Sequence, residues 1–297
     1  MANVFTRSWE ITKLSFNIIK QDKELLLFPV LASIFSLIFI IAILFPTIIL
    51  AFLNASGNYQ YGLFEYIILF ITYFGLSFIA TFFNVGVVYI VKTRLDGGNA
   101  TFGESIKFAF TKIHLIFAWS VLSATIGLIF RVIENIAERG GKLGEIIAVI
   151  ITSVLGMVWG IITIFVIPAM VYHDLGPIDA IKKSIETLKK TWGESLIRSY
   201  GLGLIMFIFV LLGIIITVVL MFLTSNLGIY APIIIIALSI IYFVAIFLVF
   251  GVANTIFNTA LFVYADTGKI PAGYDEEIMR NSFTSKNKPA ASNSDRF

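Results

Sequence analysis

Five stretches of this chain contain no Asp, Glu, Lys or Arg: residues 25–64, 66–91, 113–130, 146–173 and 199–265, together 179 of its 297 residues. A water-soluble domain cannot hide so much uncharged chain, because a single aqueous core stops growing at roughly 250–300 residues and its surface must carry charge. A bilayer can accommodate it. A helix rises about 1.5 Å per residue and the hydrocarbon layer is about 30 Å thick, so about 20 apolar residues make one crossing. The composition agrees, with 59% hydrophobic residues, 13% charged residues and a mean hydropathy of +0.96.

The 40-residue run 25–64 is long enough for two crossings, and it breaks at the polar, glycine-bearing turn Asn54–Gly62. The run 199–265 breaks at Thr224–Gly228, with Pro232 just inside the helix that follows. Glu138-Arg139-Gly140-Gly141-Lys142 separates two more crossings. Six spans are predicted, near 25–53, 63–91, 115–133, 145–172, 197–223 and 231–264. The first follows a 24-residue segment of helical pattern rather than a short basic stub, so it reads as an anchor and not a signal peptide. Of the 21 Lys and Arg, 18 fall in 1–24, 92–114, 173–198 and 265–297. By the positive-inside rule these segments, both termini included, face the cytoplasm of a cell membrane.

The segments on that side resemble one another. Span four ends Tyr172-His173-Asp174-Leu175-Gly176, and span six ends Tyr264-Ala265-Asp266-Thr267-Gly268. Both read Tyr-x-Asp-x-Gly, and span two gives a looser copy in Tyr89 and Asp96-Gly97. Helical apolar spacing marks the segments that precede each pair of spans: Phe5, Trp9, Phe16 and Ile19; then Phe102, Ile106, Phe110 and Ile113 behind the capping box Thr101-x-x-Glu104; then Ile178, Ile181, Ile185, Leu188 and Trp192. The expected fold is therefore all-α and integral to the membrane, with six transmembrane helices as three hairpins, each preceded by a cytoplasmic amphipathic interfacial helix. The units are about 3–93, 99–174 and 177–266 of one membrane domain, 1–283. A disordered tail, 284–297, is expected to follow, rich in Ser, Asn and Lys. Asp275-Glu276-Glu277 could charge the first turn of a further short helix beginning at Pro271.

Trp9 with Glu24-Leu-Leu-Leu-Phe-Pro29, the Tyr-x-Asp-x-Gly connection with its lysine-rich helix, and Phe257-Asn258 through Tyr264 and Gly268 to Pro271-x-Gly-Tyr-Asp275-Glu276 carry a likeness. Over about residues 3–283 the chain resembles an uncharacterised prokaryotic six-span membrane family, itself similar to the membrane part of certain glycerophosphodiester phosphodiesterases. The resemblance implies fold and membrane location. The catalytic barrel of those enzymes has no counterpart in these residues, so it implies no catalytic residue.

The residues themselves point away from chemistry. There is no cysteine, and only His114 and His173 offer imidazoles. Neither Gly-x-Ser-x-Gly nor His-Glu-x-x-His occurs. The span interiors lack the ionisable groups that proton or ion relays keep there; Glu65, Arg131 and Glu134 sit at span ends. Asp before Gly at a helix exit, as in Asp174 to Gly176 and Asp266 to Gly268, reads as capping and turn chemistry rather than a metal site, because Gly takes the left-handed conformation and Asp accepts backbone hydrogen bonds. No enzyme activity, cofactor, metal or nucleic-acid partner is expected.

Two other groups remain. Asn84, Asn254 and Asn258, with Ser77, Thr81, Thr255 and Thr259, are interior polar candidates, either bonding between helices or lining a pathway. Gly156 and Gly160, with Thr152 and Thr163, form a small-residue strip suited to close helix packing. Lys182, Lys183, Lys189 and Lys190 are the candidate contacts for lipid headgroups, with anionic lipid as the expected partner. A membrane-protein partner or a homo-oligomer also fits. The reading is a lipid-contacting scaffold or accessory subunit; the alternative is a passive channel or lipid-handling transporter.

Overall fold

A computed structural model of the chain describes residues 13, 15–53, 62–192, 201–224, 226, 228 and 230–268. The expected stripe through Phe5 and Trp9, most of the turn 54–62, the short helix from Pro271 and the tail 284–297 lie outside the described residues.

Among the described residues there is no strand. Residues 15–21 are helical, and a 3-10 turn, Lys23–Leu26, leads into α1 (Leu27–Leu53). There follow α2 (Leu63–Leu95), α3 (Phe102–Thr111), α4 (Ile113–Glu138), α5 (Gly141–Ile162), α6 (Val166–His173), α7 (Pro177–Trp192), α8 (Gly201–Leu223) and α9 (Tyr230–Thr267). Among the described residues six helical segments are long and apolar enough to cross a membrane: Lys23–Thr47, Leu63–Leu95, Ile113–Glu138, Gly141–His173, Leu202–Leu223 and Tyr230–Thr267. The chain is a multi-pass membrane protein. Helix α2 packs against α1, α3, α4, α6 and α9, which makes the second span the hub. Along the chain α1 meets α2, α4 meets α5, and α8 meets α9.

Burial is uneven along the spans. The end where spans two, four and six finish, beside the segments 96–112 and 174–192, is called here the connection end; the opposite end carries the short turns. The largest fully buried side chains are Leu25, Phe28, Val85, Val88, Ile90, Ile116, Phe165, Met170, Ile256, Leu261 and Phe262, and all belong to the connection end. At the turn end Leu63 is 79% exposed, Leu143 75%, Phe222 80% and Tyr230 78%. Lengths account for part of this contrast. The 33 residues of α2 measure about 50 Å and the 38 of α9 about 57 Å, both well beyond the hydrocarbon thickness.

The seam between α1 and α2 shows how the packed end is made. Phe28 and Phe39 are eleven residues apart, and their rings lie against Gly86 and Gly75, also eleven apart on the antiparallel helix. A Cβ at either glycine would collide with the ring, so two residues without side chains let two aromatic knobs seat in the second span. Gly156 and Gly160 behave differently from the expectation. A Cβ at either meets nothing within 4 Å, so the strip does not mediate close packing with another helix of the chain. The reason is position: α5 touches α4 and α7 but is otherwise peripheral, and of its residues only Ala148 is buried.

Span four is not continuous. Residues 163–165 form a turn between α5 and α6. Pro168 lacks the N–H that would bond the carbonyl of residue 164, which weakens the helix there. Within the turn the Phe165 N–H donates to Ser184 Oγ of α7, 3.2 Å away in a buried setting.

The two Tyr-x-Asp-x-Gly exits also differ. At span six the helix runs through Thr267, and Gly268 takes the left-handed backbone (φ +70) with its N–H on Tyr264 O at 2.8 Å. At span four the left-handed residue is Asp174 (φ 55), not the expected Gly176. Pro177 disfavours helical backbone at Gly176 and opens α7 immediately, so the reversal must come earlier; Asp is among the few residues that tolerate it.

Candidate functional site: the ion-paired connection end

At the connection end the segment before each pair of spans is tied to the place where that pair leaves. Before span one, Asp22 receives Arg94 from the end of α2 through two bonds, Nε to Oδ2 at 2.8 Å and Nη2 to Oδ1 at 2.5 Å. Before span three, Lys112 reaches Asp174 at 2.6 Å. In α7, Lys183 reaches Asp266 Oδ1 at 2.6 Å, and His173 Nε2 stands 2.9 Å from the other oxygen. Asp22 and Lys112 each precede their span directly and each lie seven residues after a fully buried serine, Ser15 or Ser105. The sign of the pair is reversed between them. A further tie joins the first unit to the second, because Glu24 Oε2 accepts the Phe102 N–H at 2.7 Å, at the start of α3.

These pairs differ in exposure. The Asp266 side chain is 16% exposed and that of Asp174 63%. The Lys112 hydrogen bond, helped by the charges of Lys112 and His114, still holds the Asp174 carboxyl below the usual carboxylate range. Backbone and hydroxyl bonds from Thr101 lower Glu104 in the same way, completing the α3 capping box. Neither Asp22–Arg94 nor Lys183–Asp266 could be picked out of the sequence. Their partners are 72 and 83 positions apart, and charge spacing carries signal only within a helix.

Tyr172 packs against Phe262, with Lys92 Nζ 4.6 Å from its ring centroid, and its buried hydroxyl has no hydrogen-bond partner among the described residues. Tyr264 is half-buried. The aspartates of the repeat signature are thus held by lysines, whereas its glycines and tyrosines shape the turn and the core. Among the described residues no three of His, Asp and Glu gather where a metal ion could sit.

The interior polar candidates separate. Asn258 is buried at 8% exposure and Asn84 is half-buried. Asn254, expected in the interior beside them, is exposed. It stands one turn before Asn258 on α9, but the buried stripe there runs through Val252, Ala253, Ile256 and Phe257. Nearer the turn end, a cleft of about 170 Å³ opens between α8 and α9. Ile216, Leu220, Ile235 and Leu238 line it, with Thr217 bonded to Ser239 across the helices at 2.8 Å.

The lysines separate as well. Lys183 is committed to Asp266, and Lys182 makes an exposed pair with Asp179 at 2.9 Å. Lys189 and Lys190 are exposed, with no ion pair among the described residues. The face of α7 turned to the bundle is Ala180, Ser184, Thr187 and Leu188, which shares only Leu188 with the expected stripe from Ile178 to Trp192. Ile178 is 56% exposed, Ile181 and Ile185 are half-buried, and the Trp192 side chain lies outside the described residues. Helix α3 makes the same choice, burying Ser105 and Ala109 while Phe110 is 58% exposed. Small residues bring these helices close to the bundle, and the bulky ones are left at its edge.

A polytopic all-helical chain with its core and long-range ion pairs gathered at one end is the class this arrangement defines. By its match over residues 63–272, the chain belongs to the family of unknown function DUF6159. That match takes in spans two to six and every ion pair described above except the Asp22 side of the first. None of the curated proteins compared with the chain matches it.

Proposed function

We propose that the protein is a non-catalytic, lipid-contacting scaffold or accessory subunit of the cytoplasmic membrane. On this reading it is three transmembrane hairpins, each introduced by an interfacial helix, with both termini and the connection end in the cytoplasm. The observation that carries the reading is the content of the packed end. Where a pathway would have to leave the bundle, Phe28, Phe165, Phe262, Ile90, Met170 and Leu261 fill the space between α1, α2, α6 and α9, and none has exposure above 1%. Salt bridges then tie the helices together around that apolar plug. The likeness to the membrane part of glycerophosphodiester phosphodiesterases is, on this reading, one of architecture, and any chemistry belongs to a partner.

A second reading, a passive channel or lipid-handling transporter, draws on two observations. Asn258 places an amide in the buried part of span six, at 8% exposure, and span four is broken near the connection end, as helices that line a pathway often are. Native mass spectrometry of the protein from mild detergent, paired with solute release from proteoliposomes, separates the two. The scaffold reading expects retained phospholipid at fixed stoichiometry and liposomes as tight as empty ones. Solute release that Asn258→Leu abolishes, without a fall in melting temperature, would replace it with the second reading.

A further inference from the structure

We infer that the lysines of α7 have different tasks, Lys183 tying the helix to the bundle and Lys182 with Lys189 forming the docking site for an anionic phospholipid. The inference rests on the lipid-contact reading above and deepens it by naming the residues.

Three stripes run along this helix, each at the spacing i, i+4, i+7. Ala180, Ser184 and Thr187 form the first and are buried against the bundle, with Ser184 bonded into the break of span four. Asp179, Lys183, Glu186 and Lys190 form the second, two acids and two bases in alternation, so the stripe carries no net charge. Lys183 in this stripe is turned inward: its side chain is 24% exposed and Asp266 holds it. The third stripe is Ile178, Lys182, Ile185 and Lys189. It contains no acid, so it carries two positive charges, and Ile178 and Lys189 are exposed while Ile185 is half-covered.

Isoleucine alternating with lysine on one exposed stripe fits a surface that is apolar at one depth and anionic just above it. Isoleucines enter the acyl boundary, and lysine stems lie along it while the ammonium groups rise to the phosphates. The helix is placed for this, since Pro177 follows the exit of span four by three residues and α7 packs on α4, α5 and α9 at the same end. Glu186, four residues after Lys182 and three before Lys189, makes no ion pair among the described residues, and Asp179 pairs with Lys182. That exposed i,i+3 pair is weak, which leaves Lys182 able to exchange its partner for a phosphate. Charge complementarity selects an anionic headgroup over a zwitterionic one.

The test uses the full chain in nanodiscs of equal phosphatidylglycerol and phosphatidylcholine, with retained lipid counted by native mass spectrometry after extraction. Each basic residue near the surface contributes enough for about a fivefold change, so Lys182→Gln with Lys189→Gln should cut phosphatidylglycerol retention by an order of magnitude or more at an unchanged melting temperature. Lys183→Gln should leave retention within about twofold and lower the melting temperature, which Lys183→Arg should preserve. Equal loss of phosphatidylglycerol in the double variant and in Lys183→Gln, or loss in neither, overturns the division of tasks. Wild-type protein that retains the two lipids equally overturns the lipid reading itself.

Discussion

The two ends of this bundle are built from the same kinds of residue and are held together by different means. At the connection end large aromatic and aliphatic side chains are sealed, small residues sit where helices cross, and acids meet bases from distant parts of the chain. At the turn end equally large residues stand open, and the polar contacts are mostly short-range: Arg131 to Glu134 and Glu138, and Glu65 to the Gly62 N–H. Asn135 to Tyr66 at 3.2 Å is a long-range exception, between span three and span two. The contrast shows that hydropathy does not decide packing in a membrane. Lipid tails are as apolar as leucine, so a helix gains little by exchanging lipid for protein unless shapes interlock or polar groups find partners. Both conditions are met most fully at the connection end.

Mutating matched residues at the two ends should break this picture or sharpen it. Phe262 is fully buried and touches the rings of Phe165, Tyr172 and His173, whereas Phe222 is 80% exposed. Phe262→Ala should cost about 3–5 kcal/mol through the cavity it leaves, and Phe222→Ala less than about 0.5 kcal/mol. Denaturation in mixed micelles checks this, and similar losses would mean that the turn end is packed as well. A smaller but more specific contrast lies in the glycines. Gly86→Ala must displace Phe28 and should cost about 1–3 kcal/mol. Gly160→Ala has open space and should be neutral or slightly stabilising, by up to about 1 kcal/mol of helix propensity. A large loss at Gly160 would place another chain against α5.

How much of this was legible depended on the range of the interaction. Spans could be read because a crossing is a property of consecutive residues: the six predicted segments fall within about ten residues of the observed helix ends, the polar turns marking most of them. The capping box at Thr101 and Glu104 was legible for the same reason. The Gly156/Gly160 strip misled because small residues permit close approach without supplying the neighbour. The buried face of α7 was missed because periodicity favours bulky apolar residues, whereas the bundle required Ala180 and Ser184 for proximity. Gly176 was given a left-handed turn from its residue type, but Pro177 moved that turn to Asp174. For the site, the aspartates stood out as a repeated motif. Their lysines could not be assigned, because Lys182 and Lys183 look alike until one is seen on Asp266 and the other on the outer surface.

The smallest effect concerns two aspartates at equivalent exits. Asp174 and Asp266 each receive a lysine at 2.6 Å, yet one is 63% exposed and the other 16%. An exposed pair is worth about 0.2–1 kcal/mol, so Asp174→Asn should lose less than about 1 kcal/mol at pH 7; Asn tolerates the left-handed backbone and so isolates the charge. Asp266→Asn should lose more, since Lys183 would keep its charge in a less exposed place without a counter-ion. The lysine that lowers the Asp174 carboxyl also sets the direction of the pH dependence. A carboxyl whose folded-state value is depressed contributes stability above its unfolded value of about 3.9, and that contribution fades as the pH falls through the folded value. Wild type and Asp174→Asn should therefore differ at pH 7 and draw together as the pH falls through the folded value, whereas Asp174→Ala, which also strains the turn, should remain less stable throughout. Melting curves of the three proteins across that range provide the measurement. Convergence of the alanine variant with the other two would remove the strain from the account, and a constant gap between wild type and the asparagine variant would remove the ion pair.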